Sequence, residues 1–419
     1  MTAISESHHV VVVGGGTASA SAVRTLRRRG FDGSISLVCD EPHMPYQRPP
    51  LSKGYLSGQE DFDSLSLFDD RWLTDKDVEL VSGTAAVRID ATSRRVLLSD
   101  GRRLDASHVV LATGGRPRRF PGAAPSDRVH YLRTLDDADS LRSAIRPGGH
   151  MVIVGGGYIG LEVASTVRRL GMEVTVFEAG PRPLAGVLPA ELADAVCELH
   201  SRNGVRISCG QPIESIEERG TEVIVRTGNG GTVVGDAVVI GIGMIPNTGI
   251  AEESGLAVGN GILADTAGRS SVPEILTAGD VAEWEVPMIG GTRRIEHFEI
   301  AGRQGAAVAN TILGRASGAF DAPWFWSDQY DSNIQVVGTT ADVDRIIYRG
   351  DPQTLEFSAL MLAGSTLVGA FAMDRGDDIM GARVMVGLDV GSVADRLSDE
   401  STDLMDVADV LDEIEEAMV

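Results

Sequence analysis

Cysteine is scarce: Cys39, Cys197 and Cys209 are the only three in 419 residues, and no CxxC or CxxxxC pair occurs. That excludes a structural zinc cluster and a two-cysteine redox centre. Cys39 closes an apolar run and is expected to fill core rather than act as a nucleophile. Aromatics are also few, at 5%. No run of 18 apolar residues exists, so no membrane span is expected. The N-terminal stretch MTAISESHH lacks the charged and then apolar pattern of an export signal, and the expected compartment is the cytoplasm. Positive charge is deficient too. Lys and Arg number 37 against 60 Asp and Glu, a net charge of -23. Such a surface repels phosphate backbones and argues against nucleic-acid and anionic-membrane partners.

Glycine is abundant, at 50 residues. In a chain long enough for two to three domains, this suits an α/β protein with many tight strand-to-helix turns. The chain also repeats itself. Val10–Val13 runs into Gly14-Gly15-Gly16, a helical pattern reaches Gly30, and the strand Ile35–Cys39 ends at Asp40. Met151–Val154 runs into Gly155-Gly156-Gly157-Tyr158-Ile159-Gly160, a helix reaches Gly171, and the strand Glu173–Phe177 ends at Glu178. With Gly14 set on Gly155, nine of the twenty positions Val11–Gly30 match Val152–Gly171. Each unit has the parts of a dinucleotide-binding turn. A glycine turn lets a diphosphate approach the backbone, a helix N-terminus faces it with partial positive charge, and a carboxylate closes the second strand to accept from a ribose. One such turn is weak evidence, whereas two in full context are strong. The first copy has Ser19 where the second has Gly160, a mild defect in close helix–strand packing. The fold class is therefore α/β, with two Rossmann-like dinucleotide-binding domains plus a C-terminal α+β domain.

Further segments narrow the reading. Leu111-Ala112-Thr113-Gly114-Gly115, Gly241–Asn247 and Ile275–Asp280 are glycine-containing turns placed after strands. In this order they resemble the two-dinucleotide-binding flavoprotein reductases. Pro45–Lys53 (PYQRPPLSK), Arg294–Phe298 (RIEHF) and Pro323–Gln329 (PWFWSDQ) resemble segments of the NADH-dependent ferredoxin and putidaredoxin reductases. The resemblance runs from about Val10 to about Met385. It implies FAD in the first fold and NADH in the second. It also implies electrons passed to a [2Fe-2S] ferredoxin that supplies a cytochrome P-450-type monooxygenase or a Rieske dioxygenase.

The same resemblance assigns residues. Gly14, Gly16, Ala18, Asp40, Arg48, Ala86, Ala112, Arg133, Asp280 and Phe298 are expected at FAD. Gly155, Gly157, Tyr158, Ile159, Gly160, Glu178, Gly243 and Glu296 are expected at NAD. A carboxylate at Glu178 would repel a 2′-phosphate and so favour NADH over NADPH, with Arg182 able to soften that preference. Lys53 is expected near the flavin, paired with Glu162, as a cation stabilising negative charge. Trp326 is expected beside the isoalloxazine on the electron exit route. These three are the catalytic assignments. Trp324, two residues earlier, is expected to face the other side and fill core. His297 is expected to be a structural neighbour.

The expected domains are 1–115 with 247–319 for FAD, 116–246 for NAD, and 320–419 at the C-terminus. In the tail, Leu404, Val407, Leu411, Ile414 and Met418 recur at spacings of 3 and 4, an amphipathic helix with an acidic outer face, expected to dock on its own domain. No Lys or Arg follows Trp326 as far as Gln335. A basic docking patch for ferredoxin is therefore sought at Arg303 or Arg293/Arg294, with Arg116/Arg118/Arg119 as a further cluster. Two other readings stand beside this one. An apoptosis-inducing-factor-like flavoprotein with an interaction role would need no ferredoxin. An NADH oxidase or peroxidase would need a redox cysteine near Lys53, where none occurs.

Overall fold

The computed structural model describes residues 8–286, 291–316 and 322–418. The expected boundary between residues 319 and 320 lies outside them. The chain forms two compact units. One comprises Met1–Arg48, Asp61–Arg116 and Ile245–Phe320; the other comprises Pro49–Glu60, Pro117–Met244 and Asp321–Val419.

The first unit is built on a five-stranded parallel sheet in the order Ile275–Thr277, His108–Leu111, His9–Val13, Ser34–Val38, Val78–Val81. His9–Val13 is central, and Val10, Val11 and Val12 are fully buried. An unbroken apolar run is what a strand covered on both faces requires. Each such side chain contributes roughly 1.5–3 kcal/mol. Helix Thr17–Arg28 lies against helix Phe298–Ile312. Their approach depends on small residues, since a Cβ on Gly305 would stand 2.1 Å from the Ala18 carbonyl oxygen.

The second unit repeats the parallel sheet in the order Arg206–Ser208, Glu173–Phe177, His150–Val154, Ala237–Ile240, Val129–His130. It adds an antiparallel sheet of Trp324–Gln329, Ser332–Gly338, Thr366–Met373, Glu356–Ala363 and Arg345–Asp351, neighbours in that order. Helix Gly376–Met385 packs on this sheet and on the tail helix Leu404–Met418. Leu404, Val407 and Leu411 are buried, so the tail turns its apolar stripe onto its own domain. The side chains of Ile414 and Met418 lie outside the description. The segment before the tail is anchored by Arg349, only 2% exposed. Its guanidinium donates to the Asp378 carboxylate (3.0 Å) and to the carbonyls of Leu397, Asp399 and Thr402. No helix among the described residues is long and apolar enough to cross a membrane.

Candidate functional site

Both glycine turns have the same local physics. Gly14 and Gly155 adopt φ of +124° and +107°, a region costly for other residues. A Cβ on Gly14 would lie 2.1 Å from the Ala112 carbonyl oxygen, and one on Gly155 would lie 2.2 Å from that of Gly241. A Cβ on Gly16 or Gly157 would meet nothing within 4 Å. These two glycines therefore face open space at the start of helices Thr17–Arg28 and Tyr158–Arg169. Neither helix has a side-chain cap or an acid in its first turn. Uncapped N–H groups at a positive helix end, beside backbone stripped of side chain, fit the diphosphate of a dinucleotide. The third position differs between copies. A Cβ on Gly160 would lie 2.2 Å from the Gly155 carbonyl oxygen, whereas the first helix accommodates Ser19, fully buried with no hydrogen-bond partner for its hydroxyl among the described residues.

Asp40 is exposed and lines a cavity of about 350 Å³ with Gly14, Ala86, Thr113, Arg116 and Asn247. Ala86 opens the strand Ala86–Asp90. Thr113, Arg116 and Asn247 were not picked out from the sequence as ligand-facing, although Thr113 and Asn247 belong to the glycine segments noted there. Arg116 donates to the Asn247 side chain (3.0 Å), and that side chain donates to the Thr113 carbonyl (2.9 Å). Arg116 is therefore part of this wall. Arg119 stacks over Tyr131 at 4.1 Å.

Arg48 pairs with Glu41 at 2.6 Å and reaches the Tyr46 hydroxyl. Asp280 is half-buried after the strand Ile275–Thr277. Ala18 and Ala112 are buried, and Phe298 opens its helix. His297 is pushed down to about 4 by burial, against the opposing pull of Asp280, and is neutral near pH 7. Arg133 precedes the capping box of helix Leu135–Ala144 and donates its N–H to Asp137. Glu296 pairs with Arg294, and Arg303 with Glu299 (2.6 Å). Two of the proposed docking arginines thus already face carboxylates. Burial pushes the Cys39 thiol up to about 12, which leaves it unreactive near neutral pH.

In the second unit, the Glu178 carboxylate accepts from the backbone N–H of Gly156 (2.7 Å) and of Gly180 (2.6 Å). The acid is thus locked to the turn it serves. Arg182 turns to Asp194 at 3.2 Å. Ile159 is 48% exposed in the first helical turn, and Gly243 has φ +99° with open space at its Cβ position. The Tyr158 phenol, raised by burial and by nearby Glu162, is buried with no hydrogen-bond partner among the described residues.

Lys53 and Glu162 are brought together. The ammonium lies 2.8 Å from Oε2, with side chains 17% and 3% exposed. Ser52 also donates to Oε2 (2.5 Å), and Ser327 donates to Oε1 (2.6 Å). The expectation for Trp324 is corrected. Residues two apart on a strand share a face. The rings of Trp324 and Trp326 accordingly stack at 5.2 Å and 24°. The alternate residues take the opposite side, where Phe325 meets Tyr158 edge-on and Ser327 reaches Glu162. Trp324 still packs on the core of its own domain. Among the described residues, no group of three His, Cys, Asp or Glu is placed to hold a metal ion.

Comparison with known proteins agrees with this arrangement. Residues 8–305 match the pyridine nucleotide-disulphide oxidoreductase family, and residues 324–408 match the reductase C-terminal domain. Rhodocoxin reductase of Rhodococcus erythropolis is 37% identical over 94% of this chain and 93% of its own. The ferredoxin–NAD(+) reductase component of the p-cumate 2,3-dioxygenase system of Pseudomonas putida is 37% identical over 95% and 98%. The reductase in the covalent putidaredoxin reductase–putidaredoxin complex superposes with a TM-score of 0.91 at 33% identity, covering 97% of this chain and 99% of the other.

Proposed function

Since the chain belongs to the pyridine nucleotide-disulphide oxidoreductase family and ends in a reductase C-terminal domain, we propose that it is a cytoplasmic, NADH-dependent FAD reductase. Its acceptor is a [2Fe-2S] ferredoxin that feeds a P-450-type or Rieske oxygenase. Relatives named as ferredoxin–NAD(+) reductase components of dioxygenases support the acceptor class. The observation that carries the reading is the doubled turn, in which the last glycine of each triplet, Gly16 and Gly157, opens onto free space before an uncapped helix.

Bound FAD supplies acceptance of a hydride and release of single electrons, chemistry that side chains lack. The chain binds and orients. Gly14–Gly16 and Gly155–Gly157 hold the two diphosphates. Asp40 takes the adenosine ribose of FAD in the 350 Å³ cavity. Glu178, fixed by two backbone donors, accepts from an NADH ribose and repels a 2′-phosphate. Lys53, held by Glu162, supplies fixed positive charge where negative charge develops. Arg48, Arg133 and Asp280 serve the FAD phosphates and ribityl chain, while Ala18, Ala86, Ala112 and Phe298 serve through backbone or packing. Tyr158, Ile159, Gly160, Gly243 and Glu296 complete the NAD side.

The test is reduction of a panel of [2Fe-2S] ferredoxins by NADH and by NADPH, with ferricyanide as control acceptor. NADH is expected to be the better donor, and Glu178→Ala is expected to narrow the preference by at least about tenfold, about 1.4 kcal/mol. Ferricyanide reduction with no ferredoxin reduction would remove the acceptor from the reading. A protein that takes up neither FAD nor NADH would remove the whole of it.

A further inference from the structure

Behind the Lys53–Glu162 pair lies a line of buried polar groups to which no role has been given. Ser327, Gln329 and His200 are at most 1% exposed. Gln329 Nε2 lies 3.0 Å from Ser327 Oγ, and Gln329 Oε1 lies 2.7 Å from His200 Nε2. His200 Nδ1 lies 3.1 Å from the Tyr330 hydroxyl. Tyr330 is held at φ +56°, an uncommon conformation for a bulky residue, and its N–H donates to Ser165 Oγ (2.5 Å). A turn strained in this way aims the end of the line at His200.

Hydrogen count gives the line a direction. An ionised carboxylate only accepts, so Ser327 spends its single proton on Glu162. Ser327 must then accept from the Gln329 amide nitrogen, which leaves the Gln329 oxygen facing His200. His200 must carry its proton on Nε2, and Nδ1 is left to accept from Tyr330. Resting on the reading above, we propose that Tyr330, His200, Gln329 and Ser327 form a one-way hydrogen-bond chain that holds Glu162 in place as the partner of Lys53. They act as positioning residues for that cation. Each bond polarises the next in a low-dielectric interior, so the carboxylate feels more than its nearest donor. The ionisable groups that face the line are Lys53, Tyr158, Glu162, His200 and Tyr330, with Arg168 near Tyr330 and Arg169, paired with Asp331, on the Tyr330 carbonyl. Burial keeps both phenols protonated and the imidazole neutral, so the charges sit at the two ends, the Lys53–Glu162 pair at one and the Arg168 and Arg169 guanidiniums at the other.

The chain predicts a tautomer that can be read without NADH or ferredoxin, so its failure is distinct from failure of the proposed reaction. In FAD-loaded enzyme labelled with 15N-histidine, His200 is expected as the neutral Nε2–H form near pH 7. Ser327→Ala cuts the link to the carboxylate and frees the Gln329 amide to flip, which is expected to convert His200 to a mixture of both tautomers. Ser327→Thr, which keeps the hydroxyl, is expected to restore the single form. In stopped-flow reduction by NADH, the rate should fall in Ser327→Ala and return in Ser327→Thr. Tyr330→Phe removes the last donor without touching Ser327 and is expected to give the same changes at smaller amplitude. A wild-type His200 found as Nδ1–H or as imidazolium near pH 7 would overturn the proposal. So would a Ser327→Ala or Tyr330→Phe protein in which neither the tautomer nor the rate of reduction by NADH changes.

Discussion

Lys53 Nζ stands 2.8 Å from Glu162 Oε2, on a carboxylate 3% exposed that also receives Ser52 and Ser327. The pair joins a Pro-rich turn to a helix that begins at the second glycine turn. Lys53→Met leaves Glu162 buried without its cation. Breaking a buried pair from one side costs about 3–5 kcal/mol. A loss in that range is expected in urea denaturation, reduced to the extent that the two serines go on solvating the carboxylate. If the ammonium serves developing negative charge, flavin reduction by NADH should slow by about 10²-fold, as for the loss of one electrostatic donor. Unchanged reduction in a destabilised variant would confine Lys53 to structure.

The glycines of one turn should fail in different ways. Gly14→Ala places a Cβ 2.1 Å from the Ala112 carbonyl oxygen at φ +124°, and is expected to cost about 3 kcal/mol or more in folding stability. Gly16→Ala meets nothing within 4 Å, in an extended backbone conformation that alanine adopts freely. It should leave apoprotein stability within about 0.5 kcal/mol while lowering bound flavin, since the added methyl enters the place proposed for the diphosphate. Denaturation of apoprotein and flavin content after purification separate the two. Equal flavin content in Gly16→Ala and wild type would remove the diphosphate from the first turn.

The two repeated nucleotide units were legible because each is written in contiguous residues: an apolar run, a glycine triplet, a helix and a terminal acid. The tail helix was legible for the same reason, from its apolar spacing. What escaped was set by pairing between distant segments. Thr113, Arg116 and Asn247 wall the first cavity because residues 134 positions apart hydrogen-bond. His200 meets Gln329 across 129 positions. The error at Trp324 was of another kind. The strand and its period were both available, and two residues on one face had been assigned to opposite ones.

Buried His200 links stability to pH. Burial pushes the imidazole down to about 4, against about 6.5 in an unfolded chain. The folded form resists protonation, so between these values the unfolded chain binds more protons. The contribution is complete above about pH 6.5 and is lost as pH falls towards 4, to the extent of about 3 kcal/mol. His297 is displaced in the same direction by burial. Urea midpoints near pH 7 and about pH 5 should differ more for wild type than for His200→Gln, which cannot titrate. Equal pH sensitivity in both would show that His200 is protonated in the folded protein or exposed to water.

Trp324 and Trp326 share one face of a strand in a reductase C-terminal domain, their rings stacked at 5.2 Å. Trp324 is held further by its indole N–H on Gln335 (2.9 Å) and by Arg383 over its ring. If Trp326 lies on the exit route, its removal should harm delivery to a protein acceptor and spare delivery to a small one. Trp326→Leu is expected to slow ferredoxin reduction at least about tenfold, about 1.4 kcal/mol, while NADH-to-ferricyanide turnover changes much less. Trp324→Phe keeps an aromatic partner for the stack and should behave nearly as wild type. A packing role would give the opposite pattern. Both acceptors would then suffer alike, in step with lost folding stability, because a loosened domain has no means of telling a ferredoxin from ferricyanide.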